Sequence, residues 1–504
     1  MVSIYSLIAG LLLVEPAYLL TSSTANFAQK RVQHAVALRA LKARSIQRDI
    51  RVETTILALP EELLVEIVQL LEWRDILRIR GTSRRLNAVS TSLSVWRSVV
   101  ESVPPQFLWL ERPAKTYSSH ELEKLFLRRQ RVVAGYKALA QGATPRWRTI
   151  HVKESPERKT MDVVPGGRWL LVPNARGSIL YYDLDASDSP AHVLTPEKPA
   201  NCLTKMTIDV DSTSAYLRFN LALVFYFLGG TDQIEVWQVD LALDEYGRGI
   251  GLRAGCQASF KQEPPGLCDG LCLRGDSLAL AVIYEAHLAS YIAVVDWRSV
   301  QGSDYPKRLF YPTNRSLPCL LPGNMLFSAT DSDIMLVPFA SLPVVTAMPD
   351  SRRDIPRTTN PFVSLKGAYD KSLSMPSFDD RSIRFLLGAR KTVHGITLTP
   401  DPTNGDHGYR GDTIELLKLS ESQRTIPIAF CDDFSVVWTR SQGMIVQCVS
   451  WSNSTEEHFP VVRVDKVTPL DWNGEGCYRL DMASGRVVVD QLRRQCVMVL
   501  ELSP

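Results

Sequence analysis

The feature that most narrows the fold is a cadence that sets in near Arg148 and continues toward the end of the chain. Short runs of apolar, β-branched or aromatic residues alternate with turns holding Gly, Asp, Asn or Ser, the pattern of strands joined by tight turns. Arg168–Pro173 (RWLLVP), the turn 174–177 (NARG) and Ser178–Leu184 (SILYYDL) form one such pair. The unit returns at 225–241, 275–297, 321–339, 434–451 and 477–491. Its period is roughly 40 to 50 residues, the spacing of repeated supersecondary units that bury their apolar faces against one another.

That period is the sign of β-propeller blades, and the region resembles a degenerate WD-repeat-like propeller. Val236-Trp237 and the acids Asp183 and Asp296 echo a blade ending, while no Gly-His and Trp-Asp pair is intact. Blades of roughly 45 residues imply about 6–8 of them over 148–504. Ser341–Ser377, rich in Pro, Ser and Arg, and Asp401–Gly411 read as long insertions. A β-sandwich, or two smaller β domains, is the competing architecture.

The stretch Leu57–Trp96 has a different texture. Leu59-Pro60 precedes Glu61 and Glu62; Pro suits the first helical position, and the acids favour the positive end of a helix dipole. Leu63, Leu64, Ile67, Val68, Leu70 and Leu71 then recur at three- and four-residue spacing. The stripe is broader than one short helix needs to pack on its own core. Asp75 reads as the N-cap of a second helix, Ile76–Ile79, and Gly81-Thr82-Ser83 separates it from a third segment closing near Trp96. Surplus apolar surface on a small helical unit invites a partner. Packing on the rest of the same chain is the bland alternative.

This stretch resembles the F-box motif, at about 57–97. The resemblance rests on Leu59-Pro60-x-Glu62-Leu63-Leu64, Ile67, Leu70-Leu71, Asp75-Ile76-Leu77, Ser83-Arg84-Arg85-Leu86 and Trp96. Ser83 stands where Cys is common in that family and Leu86 where Trp often occurs. The resemblance implies docking on a Skp-type adaptor and, through it, on cullin and RING subunits. It implies adaptor contacts from Leu59, Pro60, Leu63, Leu64, Ile67, Leu70, Leu71, Ile76 and Leu77, with Glu61, Glu62 and Asp75 as rim and capping groups.

Elsewhere the chain excludes more than it suggests. A net charge of +3 over 504 residues, with no dense basic patch beyond 150, gives no reason to expect nucleic acid. The nine cysteines are scattered, only Cys268 and Cys272 being close, and no CxxC pair exists. A zinc site or disulfide framework is therefore not indicated, and a reducing compartment is. There is no P-loop, no G-x-S-x-G elbow and no His-Glu-x-x-His. Gly247-Arg248-Gly249-Ile250-Gly251 has the wrong spacing for a dinucleotide loop and reads as a turn between strands. His407, between Asp406 and Gly408, reads as a loop residue, and Trp169, Trp237, Trp297 and Trp438 as blade packing.

Residues 4–20 (IYSLIAGLLLVEPAYLL) are apolar but interrupted by Glu15 and Pro16, short for a membrane span, and not preceded by Lys or Arg. They read as a docked helix, or as an inaccurate start to the chain, rather than as a signal or an anchor. Gln29–Ile50 reads as a basic helix leading toward the F-box-like stretch.

The expectation is a multidomain α+β chain: 1–27 apolar, 28–56 a basic helix, 57–100 the F-box, 101–147 a helical linker, and 148–504 the propeller. Within the linker, His120–Ala140 is a helix capped by Ser119. The expected role is target recognition in an SCF-type cullin ubiquitin ligase, without catalysis or cofactor, in cytoplasm or nucleus. The alternatives are a scaffold acting with the adaptor alone, and a membrane-anchored or secreted propeller. In the last case Asn314-Arg315-Ser316 and Asn453-Ser454-Thr455 would be glycan acceptors.

Overall fold

The computed structural model describes residues 56–501 except 105–106, 141–145, 153–160, 187, 199–201, 228–231, 263–265, 285–288, 303–304, 313–316, 330–332, 347–362, 365–371, 374–375, 379–381, 389–391, 402–407, 419–424, 432–433, 440–442, 449–477, 482 and 492–495. The apolar run 4–20, the basic helix, His407 and both glycan motifs' asparagines lie outside the described residues. The chain divides into two compact units between Val99 and Val100.

The first unit is helical. It contains α1 (Glu61–Gln69), α2 (Trp73–Ile79), α3 (Arg84–Ser90) and most of α4 (Leu93–Glu101). Leu64, Val68, Ile76, Val89, Val95 and Trp96 are its buried apolar residues. No described helix of the chain is long and apolar enough to cross a membrane.

Among its described residues the second unit holds α5 (Ser119–Ala140) and seven antiparallel sheets that follow one another along the chain. Blade one spans Asp162–Val193, blade two Cys202–Lys261 and blade three Leu267–Phe310. Blade four starts at Leu317, blade five at Ser372, blade six at Thr425 and blade seven at Tyr478. The first strand of each sheet abuts the sheet before or after it, and blade seven meets blade one. Between blades four and five the seam is the Phe327–Phe385 stack, with ring centroids 4.5 Å apart. Seven sheets arranged in such a cycle are a seven-bladed β-propeller.

Blade seven is completed from the other end of the unit. Arg146–His151 pairs antiparallel with Cys496–Glu501, in register from Arg146 opposite Glu501 to His151 opposite Cys496. This ladder joins the first strand of the ring to the last, so the ring closes through backbone hydrogen bonds as well as through packing.

The hairpins legible in the sequence are the middle strands of blades one to four, the last two described strands of blade six and the first two strands of blade seven. Middle strands are covered on both faces by neighbouring blades, so they read as continuous apolar runs rather than alternating ones. Trp169–Pro173 is buried throughout, and Leu221–Phe225 likewise. Apolar clusters fill the seams from blade seven round to blade five, one joining blades seven, one and two and another joining blades two and three.

The insertion Ser341–Ser377 is not a free loop in its described parts. Val344–Val345 adds to the outer edge of blade three, Val363–Ser364 is the fourth strand of blade four, and Ser372–Leu373 is an edge strand of blade five. These strands are two residues long, which is why a stretch rich in Pro, Ser and Arg hides them.

Candidate functional site

Local sequence accounts for each helix start in the first unit, with two shifts from expectation. Pro60 is the N-cap of α1 (φ −51°, ψ 151°) rather than its first helical residue, and Glu61 and Glu62 fill the first turn. α2 starts at Trp73 with Glu72 at the cap, so Asp75 does not cap it. Asp75 sits one turn in and pairs with Arg78 at 2.9 Å. Ser83 caps α3, its Oγ accepting from the Leu86 N–H at 3.1 Å, a contact worth about 1 kcal/mol. The expected single third segment is broken in two at Thr91. The Thr91 hydroxyl lies 3.0 Å from both Asn87 O and Ala88 O, competing for the carbonyls a continuing helix would use.

Arginines frame the unit. Arg85 donates through Nη2 to Leu59 O at 2.6 Å and through Nη1 to Leu57 O, fixing the segment before α1 onto α3. Arg80 donates to Ser90 O at 3.2 Å and Ser90 Oγ at 3.3 Å, and its guanidinium lies 5.4 Å from the Trp96 ring centre. Trp96 Nε1 donates to the same Ser90 carbonyl at 2.9 Å. Gln69 Nε2 reaches Ser94 O at 3.0 Å, tying α1 to α4.

The nine residues expected at an adaptor interface divide by burial. Leu64 and Ile76 have no exposed surface and belong to the unit's own core. Leu59, Leu63, Ile67, Leu71 and Leu77 are half-buried, Pro60 is exposed, and Leu70 is 48% exposed. Leu63, Ile67 and Leu70 follow one another at helical spacing, beside the inward row of Leu64 and Val68. Leu57 and Leu93, 37% and 40% exposed, extend the apolar exposure and were not among the expected residues. No periodic signal marks them, and none marks Arg80 or Arg85, whose partners are backbone carbonyls.

In the propeller unit the segment 107–140 is bound to one end of the blades. In an antiparallel blade the first and third turns lie at one end and the second at the other. Trp109 Cβ is 3.3 Å from where a Cβ on Gly166 would lie, in the first turn of blade one. Glu111 accepts from Arg168 Nη1 at 2.8 Å and from Trp169 Nε1 at 2.7 Å, and its carbonyl accepts from Leu217 N in the first turn of blade two at 2.7 Å. Arg128 of α5 pairs with Asp185 at 3.0 Å, and Arg486 also reaches Asp185, at 2.7 Å. These contacts all fall at the first- and third-turn end.

Ser118, not Ser119, caps α5. Its Oγ accepts from Glu121 N at 3.2 Å while the Glu121 carboxylate accepts from Ser118 N at 2.7 Å, a reciprocal capping box. Burial pushes the Glu111 carboxyl above its ordinary range despite Arg168 beside it. Burial opposes ionisation of Asp185 too, but Arg486 and Arg128 hold its carboxyl below the usual range.

An open groove of about 420 Å³ is lined by Arg112, Thr116, Ser118, Glu121, Tyr246 and Arg248. Arg112 is already paired with Glu121 at 2.6 Å and Arg248 with Asp244 at 2.8 Å, so the groove presents little net charge. Gly247, at φ +73°, closes the turn between the third and fourth strands of blade two, where Asp244 Oδ1 accepts from Tyr246 N and Arg248 N. Trp169, Trp237 and Trp297 are buried in blades one to three, each with its indole N–H bonded. Trp438 lies among side chains outside the described residues. No metal-holding group of His, Cys, Asp or Glu occurs among the described residues.

Residues 56–102 match the F-box-like family model. The match coincides with α1 to α4, and it indicates no catalytic family. A search of curated proteins finds no match to this chain. Among solved structures the chain is similar to the WD40 domain of SCAP from fission yeast, at 11% identity and a TM-score of 0.36, covering 69% of this chain and 83% of that one. It is similar to the β-propeller domain of Myceliophteria thermophila Cps50 (Swd1), at 10% identity and a TM-score of 0.42, covering 71% and 99%. The AfRom2 CNH domain follows at 9% identity and a TM-score of 0.32, covering 62% and 85%. The F-box-like match falls on the helical unit, and the described sheets of the propeller follow it along the chain.

Proposed function

We propose that this chain is the target-recognition subunit of an SCF-type cullin ubiquitin ligase. The F-box-like unit docks on a Skp-type adaptor, which brings cullin and RING subunits, and the propeller holds the target. The observation that carries this reading is the coincidence of the F-box-like match with a helical unit whose core is already filled, yet which exposes Leu57, Leu70 and Leu93. Apolar area left over after a unit has built its own core is the ordinary mark of a protein partner.

On this reading Leu59, Pro60, Leu63, Ile67, Leu70, Leu71 and Leu77 contribute burial in the adaptor's groove. Leu64 and Ile76 act from within, holding α1 and α2 in place. The target binds the second-turn end of the blades, since 107–140 occupies the first- and third-turn end of blades seven, one and two. The chain performs no chemistry; it raises the effective concentration of target lysines near a charged ubiquitin carrier. Its place is the cytoplasm, the nucleus or both.

Affinity purification of the full chain with mass spectrometry tests the assignment. Recovery of both a Skp-type adaptor and a cullin supports it. Adaptor without cullin points to a scaffold outside the ligase, and absence of adaptor overturns the reading.

A further inference from the structure

The innermost strands of blades three and four, Leu267–Arg274 and Leu317–Leu321, abut along the ring. No backbone ladder joins them, and the seam is held by side-chain packing that includes Leu320, Leu326 and Ala279. Each strand carries one cysteine at this seam. Cys272 is partly exposed and Cys319 is buried. The Leu320 N–H donates to Cys272 Sγ at 3.2 Å, which places that sulfur beside the residue following Cys319. Cys319 Sγ lies 4.0 Å from Leu320 O, so the two thiols border the N–H and the carbonyl of the same residue.

We propose that Cys272 and Cys319 are a redox-active pair that forms a disulfide between blades three and four. The two sulfurs come from different sheets and border the same residue, Leu320, so the bond would join strands that already abut. The roles of the two thiols differ. Cys272 is the partly exposed thiol and accepts the Leu320 N–H, which favours its thiolate, whereas Cys319 is buried. The partly exposed thiol is the one that meets an oxidant, and the buried neighbour resolves.

The oxidant is a diffusible disulfide such as oxidised glutathione. The Cys272 thiolate attacks one glutathione sulfur, breaking that S–S bond and releasing one glutathione thiolate, which takes up the proton Cys272 lost. Cys319 then attacks Cys272 Sγ, expelling the second glutathione, which takes up the Cys319 proton. Two protein thiols are oxidised and one glutathione disulfide is reduced to two thiols. The product is a covalent clamp across a seam otherwise held by packing. The inference is independent of the adaptor reading.

The test uses the folded full chain, incubated with oxidised glutathione, blocked with a thiol alkylating agent and mapped by mass spectrometry after proteolysis. The expected result is a cross-linked pair of peptides containing Cys272 and Cys319, lighter by two hydrogen atoms than the two thiol peptides and separated by dithiothreitol. Cys319→Ser should convert the cross-link into a lasting glutathione adduct on Cys272, and Cys272→Ser should leave Cys319 alkylated. A wild-type chain in which Cys272 keeps its glutathione, or in which both cysteines remain alkylatable, overturns the proposal. Both wild-type outcomes are read without recourse to either variant.

Discussion

Trp169 Nε1 donates to Glu111 Oε1 at 2.7 Å, binding the second strand of blade one to a residue that precedes α5. Glu111 Oε2 takes the Arg168 guanidinium at 2.8 Å, and Arg168 in turn holds Asp183 at 2.8 Å. The Glu111 N–H reaches Tyr117 Oη at 3.1 Å. One carboxylate thus satisfies an indole and half of a guanidinium, so the segment before α5 is part of the propeller's structure rather than a tether to it.

Removing that carboxylate leaves the buried Trp169 indole without its acceptor and the half-buried Arg168 guanidinium with fewer. Glu111→Ala should destabilise the propeller unit by about 2 to 3 kcal/mol, the cost of stranding buried hydrogen-bond groups. Glu111→Gln, which keeps an oxygen for Trp169, should lose less. Urea denaturation followed by tryptophan fluorescence reads both, and an unchanged midpoint for the alanine variant would refute the role given to Glu111.

The contact between α5 and blade seven rests on the absence of a side chain. Gly485 sits at φ +67°, and a Cβ there would fall 2.5 Å from Val132 Cγ1 of α5. Gly485→Ala should cost about 1 to 3 kcal/mol from the backbone alone, with the clash in addition. Adding Val132→Ala should recover the clash and not the backbone cost, so the two substitutions are non-additive in thermal unfolding. Strict additivity would separate Val132 from this turn.

Burial alone pushes the Asp232 carboxyl up to about 6. Its folded pKa exceeds its unfolded one, so the favourable contribution is complete below about 4 and is lost as pH rises through about 6. Asp232→Asn should therefore raise the melting temperature at pH 7.5 and leave it almost unchanged at pH 4. The Gln262 N–H bonds the backbone carbonyl of Asp232 at 2.9 Å, so the substitution keeps that contact. Equal shifts at the two pH values would remove Asp232 as the titrating group.

How much of this was legible depends on what each strand must cover. Middle strands such as Arg218–Phe227 and Gln233–Leu243 are sandwiched between blades and announce themselves as apolar runs. Inner and outer strands such as Asp162–Val163, His192–Val193 and Val363–Ser364 are two residues long, too short for any periodicity, so the blade count could only be bracketed. The closing strand Arg146–His151 was hidden for another reason: its partner, Cys496–Glu501, lies at the far end of the chain. In the helical unit the apolar stripe was readable, but not its division. Leu64 and Ile76 look like Leu63 and Leu77 in sequence, and only helix packing assigns one pair to the core and leaves the other half-buried.

That division makes the adaptor reading testable without ambiguity about folding. Leu70 is 48% exposed, so Leu70→Asp removes apolar surface that the unit itself does not use. About half of a leucine's burial, roughly 1 kcal/mol, is open to a partner, so the substitution should weaken adaptor binding about fivefold while shifting the unfolding midpoint less than Leu64→Ala does. Leu63→Asp with Ile67→Asp, on the half-buried row, should abolish co-purification of a Skp-type adaptor with the propeller still folded. Leu64→Ala should do the reverse, costing the helical unit about 2 to 5 kcal/mol through a cavity, with binding lost only as the unit unfolds. Calorimetric titration against purified adaptor, paired with circular dichroism of each variant, separates the two effects. Undiminished binding by Leu70→Asp and by the double variant would place the adaptor, if it binds at all, on a different surface of residues 56–102.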